Sequence, residues 1–337
     1  MEKLTRRIVA GLVLGVVVYA GIGLLTDARA LLGQMRDFPF GVFVGALALT
    51  MVNYGLRFAK WQLYLKKLEV DVPVGESVTV FVAGMVMAVT PGKVGEVLKS
   101  FLLRESQSVP VARTAPIVVA ERMTDLLGMV LIAAVGVVTF DYGETVLGVT
   151  LLLLVVAVVL LNQREMMLAW LDGLEEAPLV GAIQPKLEEA YRSMHSLVDW
   201  PIFSGTTLLS ALAWSMEGVA LYWILVALGA EGVTLYTAFF VYAITTVAGA
   251  VSFLPGGLGV TEGGMIVLMA DVFGFFEVRA SATLATYLIR FATLWFGVLV
   301  GLVALGLFRA RFAPEGRQEG RGEESEGSDG SRGPIEP

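Results

Sequence analysis
The sequence predicts an all-α fold: a polytopic membrane helix bundle, with about six full spans and two broken or re-entrant helical hairpins in an inverted repeat. Three observations carry that prediction. The 337 residues are 56% hydrophobic and 16% charged, with a mean hydropathy of +0.75, and several charge-free runs approach the ~20 residues a helix needs to cross hydrocarbon. Two apolar segments are interrupted by Pro-Gly turns, at Pro91-Gly92 and at Pro255-Gly256. Ionisable side chains also fall inside apolar runs, where each costs about 2.5–3.5 kcal/mol on insertion scales and must pair or face water.

Residues 8–25 form the first span, preceded by Lys3, Arg6 and Arg7. They run on without a small-residue cleavage site, so no cleavable signal peptide is expected. A short loop is expected over 26–40 and a second span over 41–56. That span ends in Arg57, Lys60, Trp61, Lys66 and Lys67, a basic collar of the kind found at the cytoplasmic interface. Residues 74–90 are apolar but short, break at Pro91-Gly92-Lys93-Val94-Gly95-Glu96, and resume over 97–103. Both arms are too short to cross ~30 Å comfortably, so a hairpin entering and leaving on one side is expected.

A span over 114–140 carries Glu121, Arg122 and Asp125, and a tight loop at 141–144 leads to a returning span over 145–161. Within the polar connection 162–200, Ile183, Leu187, Ala190, Tyr191, Met194, Leu197 and Val198 fall at helical spacing, and Glu188 and Arg192 stand i,i+4. An interfacial helix is expected there. His195 lies beside its apolar stripe, as a surface or interface residue rather than a ligand. A span over 202–228 contains Glu217. The second broken segment, 235–270, is charge-free apart from Glu262, and Pro255, Gly256, Gly257 and Gly259 interrupt it. Pro has no N–H and each Gly loses roughly 1 kcal/mol of helix stability, so one straight helix is excluded. The last span, 280–308, contains Arg290. One integral membrane domain over 1–310 follows, with halves about 8–140 and 145–308. The acidic Gly/Ser/Glu/Arg tail 311–337 is expected to be disordered.

With the N-terminus in the cytoplasm, the cytoplasmic segments hold most Lys and Arg, and the outer loops hold only Arg29, Arg36 and Arg279. That asymmetry obeys the positive-inside rule and makes both termini cytoplasmic in a multi-pass cell-membrane protein. The halves then match in order: span, span, Pro-Gly-x-x-Gly break, span with Arg. The step from Pro91 to Arg122 is 31 residues and from Pro255 to Arg290 it is 35. Paired breaks in inverted repeats point to a transporter site at the repeat interface.

The candidate substrate-binding residues are Pro91, Gly92, Lys93, Gly95, Glu96, Glu121, Arg122, Asp125, Pro255, Gly256, Gly257, Gly259, Glu262 and Arg290. Backbone N–H groups at the turns with Lys93, Arg122 and Arg290 suit an anionic headgroup, most simply a phosphate. Two alternatives stand beside this. Pairs such as Arg122–Asp125 could instead be internal ion pairs, and Glu96 and Glu262 serve equally as complements to a helix dipole. Zero cysteines and one histidine exclude disulfides, thiolate nucleophiles and clustered His ligands. No catalytic residue, metal or cofactor is expected. The alternatives are a membrane-embedded enzyme using Glu96, Asp125 or Glu262 as general base, and an accessory subunit of a lipid-headgroup or glycan modification pathway.

TPGKVGEVLK at 90–99, ERMTDLLG at 121–128 and LPGGLGVTEGG at 254–264 resemble signature blocks of the lysylphosphatidylglycerol synthetase transmembrane, or flippase-like, family. The resemblance covers roughly residues 5–310. It departs at Lys93, where members usually carry Arg, which bears on bidentate phosphate contact. In some members this membrane region is fused to an aminoacyl transferase and in others to a glycosyltransferase, and these 337 residues hold neither. The resemblance therefore implies the membrane half alone: lipid transport, by flipping or binding modified phospholipids or polyprenyl-linked glycans. Expected partners are a membrane lipid with an anionic headgroup and a separately encoded lipid-modifying enzyme, with no nucleic acid.

Overall fold
The structure, a computed structural model, describes residues 2–24, 26–90, 95–136, 148, 152 and 184–312. Among these every regular element is helical. The chain runs α1 (Glu2–Leu24), α2 (Ala28–Asp37), α3 (Phe40–Lys67), α4 (Val74–Gly84), α5 (Leu98–Gln107) and α6 (Val111–Gly136). After the undescribed stretch come α7 (Gln184–Leu197), α8 (Trp200–Ala227), α9 (Leu235–Val251), α10 (Val260–Val267), α11 (Arg279–Arg290) and α12 (Phe296–Phe312). The expected loop 141–144, the span 145–161 and most of the polar connection lie outside the described residues, as does the tail beyond Phe312.

Three described helices are long and apolar enough to cross a membrane: Phe40–Lys67, Trp200–Ala227 and Arg279–Phe312. Helix α1 with α2 makes a fourth candidate, bent by 103°. Helix α6 is 26 residues long but carries Glu121, Arg122 and Asp125 near its middle. The chain is thus an all-helical, multi-pass membrane protein.

Local signals explain most boundaries. The expected loop at 26–40 holds helix α2, because Asp27 caps it by accepting from the Arg29 and Ala30 amides at 2.9 and 3.3 Å. A side-chain cap meets orphan N–H groups that a loop would leave to water. Thr234 and Thr237 form a reciprocal cap that starts α9. The expected amphipathic helix at 183–198 is α7. It buries Met194 and Leu197, packs on α6, and carries the Glu188–Arg192 bridge at 2.5 Å.

Packing crosses between the halves. Helix α4, which leads into the first break, lies on α12, and α9, which leads into the second, lies on α6. Small residues allow this closeness, as expected where lipid tails compete with apolar side chains. A Cβ on Gly301 of α12 would stand 2.5 Å from the Val86 amide nitrogen, and one on Gly128 of α6 would stand 2.7 Å from that of Ala211.

Candidate functional site
The second break is built as a clip. Helix α9 stops at Val251, and Phe253 (φ 55°), Gly256 (φ 62°) and Gly259 (φ 88°) turn the chain through left-handed backbone. Only glycine takes that conformation readily, so Phe253 is strained and the glycines relieve the rest. The carboxylate of Glu262, fully buried, accepts from the Gly259 amide at 2.7 Å and so caps α10. Its other oxygen accepts from Arg290 Nε at 2.7 Å and from the Tyr19 hydroxyl at 3.3 Å. Arg290 also donates through Nη2 to the Gly256 carbonyl at 2.7 Å. Gly249 and Gly257 pass so closely that a Cβ on Gly257 would lie 3.0 Å from the Gly249 Cα.

At the first break only the flanking residues are described. Helix α4 tightens into a 3₁₀ turn over Met85–Val89. Thr90 Oγ1 accepts from the Gly95 amide at 3.1 Å, which ties together the ends of 91–94. Pro91, Gly92 and Lys93 lie outside the described residues. Arg122 divides one nitrogen between Glu96 Oε2 at 3.2 Å and Asp125 Oδ2 at 3.0 Å, and its side chain stays 26% exposed. Its Nε is buried with no hydrogen-bond partner among the described residues.

Two further buried lysines complete the network. Lys60, 1% exposed, meets Asp125 at 2.5 Å and Ser210 at 2.7 Å. Lys99 meets Glu121 at 2.5 Å and stands 4.7 Å above the Trp61 ring. The single collar expected over 57–67 is corrected here. Lys66 and Lys67 are exposed, but Lys60 is buried and Arg57 faces inward. Asn53, Arg57, Lys60 and Tyr64 recur at three- and four-residue steps on α3. That spacing puts them on one face, and it was the available signal for residues that motif reasoning passed over.

The 3₁₀ turn Met85–Val89 touches a second one, Pro255–Gly257, and a cavity of about 350 Å³ opens beside them. Glu96, Arg122 and Asp125 from the first half and Gly256, Gly257 and Arg290 from the second all reach its wall. Arg57, Lys99, Trp214, Glu217 and Tyr242 share that wall. Glu217 accepts a hydrogen bond from the Tyr242 hydroxyl. Five expected residues are not part of the wall: Gly95, Glu121, Pro255, Gly259 and Glu262. Of these, Glu121 and Glu262 act as buried counter-ions. Also on the wall, Tyr54 donates to the Thr293 carbonyl at 2.9 Å. That carbonyl lies in the π turn Phe291–Trp295 that follows Arg290.

Residues 12–301 match the family described as Lysylphosphatidylglycerol synthase TM region. The chain belongs to that family. The lysylphosphatidylglycerol synthase TM region thus takes in both breaks and every charged residue of the cavity wall. The chain is 23% identical over 322 residues to the UPF0104 membrane protein of Methanothermobacter thermautotrophicus, covering 88% of this chain and 94% of that protein. It is also 23% identical over 309 residues to Glycosyltransferase AglD of Haloferax volcanii, covering 80% of this chain and 50% of that protein. The chain therefore spans about half the length of this second relative.

Proposed function
We propose that this membrane protein is a lipid translocase, or a lipid-binding transporter, that takes an anionic phospholipid or polyprenyl-phosphate headgroup into the cavity between its two breaks. One observation carries the reading: the second Pro-Gly break, the described flanks of the first and a set of buried or half-buried cations open onto a single cavity. A break in a spanning helix is tolerable where it lines such a cavity. The crossed packing of α4 on α12 and of α9 on α6 is what two repeats folded into each other would produce. In this proposal the repeats are inverted, about six spans cross fully, and both termini face the cytoplasm of the cell membrane. Alternating access follows as a rocking of one half against the other around the headgroup.

Arg122 and the Gly256–Gly257 turn are the parts of the proposed site that face the headgroup most directly. Glu121, Glu262 and Arg290 hold the frame. Mass spectrometry of lipid co-purified with the protein, followed by a flip assay in liposomes, tests the proposal. A bound anionic lipid that changes leaflet only in protein-containing vesicles is the expected result. Turnover of the headgroup without transbilayer movement would instead favour a membrane-embedded enzyme.

A second reading draws on the glycosyltransferase relative, which pairs a matching half with further sequence. In that reading the chain is the accessory membrane subunit of a separately encoded enzyme that modifies lipid headgroups or glycans. A stable partner protein with neither bound lipid nor lipid movement would favour it.

A further inference from the structure
Four buried or half-buried cations at or near the cavity wall are held in salt bridges, and a fifth is not. Lys60, Lys99 and Arg290 each meet a carboxylate at 2.5–2.7 Å, and Arg122 meets two at 3.0–3.2 Å. Arg57 forms no salt bridge among the described residues. Its guanidinium lies over the Trp214 ring, 5.5 Å from the centroid, at the cavity wall. A cation–π contact compensates only part of a guanidinium's lost hydration, about 0.5–2 kcal/mol. Arg57 is attracted by Asp125 more strongly than it is repelled by Arg122, but it stays unbridged, and the buried Arg122 Nε has no hydrogen-bond partner among the described residues. An arginine without a salt bridge and a second whose Nε lacks a partner share one cavity wall, a site that an anion between them would complete.

We infer that Arg57, backed by Trp214 and joined by Arg122, is the seat of the ligand's phosphate. The inference rests on the lipid-binding reading above and makes its site specific. A phosphate offers several acceptors to planar guanidinium forks, which bind it at two points each. Leu126, Met129, Leu254 and Leu294 line the same cavity, so an apolar body fits beside the phosphate. The ligand class is accordingly an amphiphile with a phosphate group rather than free phosphate. Arg290 is not part of this seat, because Glu262 holds its Nε and the Gly256 carbonyl its Nη2, which clamps the side chain in the second break.

The test uses the full chain in detergent micelles, with dioctanoyl phosphatidylglycerol as probe and inorganic phosphate as competitor. Losing a charge-assisted contact of this kind weakens binding by about tenfold or more. Arg57→Ala should show that loss at an unchanged melting temperature, and Arg57→Lys should show a smaller one. Lys67→Ala should match the parent, since Lys67 is an exposed residue paired with Asp199 at 3.0 Å. Parent-like lipid affinity in a folded Arg57→Ala overturns the seat. If Arg57→Ala does not fold, Arg57→Lys and Trp214→Phe decide by the same measurement. Competition by inorganic phosphate as strong as the lipid's own binding overturns the amphiphile assignment. Flip assays separate this inference from the broader one. Binding that depends on Arg57 without any flipping leaves the seat standing and removes the translocase. Flipping that is unchanged in Arg57→Ala, with unchanged binding, does the reverse.

Discussion

The two breaks carry the same written pattern, Pro-Gly-x-x-Gly followed some thirty residues later by an arginine, yet their arginines do different work. Arg290 is 8% exposed in its side chain and closes a clip with Glu262, Gly256 and, through Glu262, Tyr19 of the first helix. Arg122 is 26% exposed and shares one nitrogen between two carboxylates. Asp125 would keep a cation in Lys60 if Arg122 were removed, whereas Glu262 would have no other cation within bridging distance among the described residues. A repeated motif therefore fixes where the chain bends. What the bend does is set by whichever partners the other helices bring.

Breaking the clip should give the largest effect. Arg290→Ala leaves the Glu262 carboxylate buried and unpaired, and should cost about 3–5 kcal/mol, read as a large fall in melting temperature in detergent. A loss no larger than that of Arg122→Ala would remove the contrast between the halves. Lys60→Met should come next, at about 3 kcal/mol, with Lys60→Met/Asp125→Leu recovering part of it. Recovery would mark that pair as structural, and a double variant worse than the single would show that Asp125 is required by Arg122 instead.

The close approach at the second break should give a smaller but specific loss. A Cβ on Gly249 would stand 2.0 Å from Thr261 Oγ1, so Gly249→Ala should cost about 1–3 kcal/mol from overpacking. Adding Thr261→Ala removes the obstructing atom and should restore part of the melting temperature. Arg122→Ala should be the mildest for stability, about 1–2 kcal/mol, while retention of co-purified lipid is lost. Full lipid retention in a folded Arg122→Ala would sharpen the comparison differently, by making both arginines structural.

Much of this architecture can be read from the chain alone. The Arg122–Asp125 pair, at 3.0 Å, follows from i,i+3 spacing, and the capping role of Glu262 follows from its place three residues after Gly259. Lys60 shows where such reading fails. Clustered basic residues at the end of an apolar run usually mark an interface, but Lys60 is held by Asp125 and Ser210, 65 and 150 residues away. No local pattern encodes that meeting. Residues 26–40 failed for a smaller reason, since a single side-chain cap at Asp27 was enough to make a helix from a short polar stretch.

The sequence by itself determined that the protein is an all-helical membrane protein, that two of its apolar segments cannot run straight, and that charges lie at depth. Those properties are local: hydrocarbon admits backbone only when it is internally bonded, and Pro and Gly break that bonding wherever they fall. Tertiary structure decided which buried cation meets which carboxylate, and so which arginine is clamped and which faces the cavity. Coulomb attraction and desolvation act over a few ångströms in space, and only the packing of α3, α6 and α8 brings Arg57, Arg122 and Trp214 within that reach.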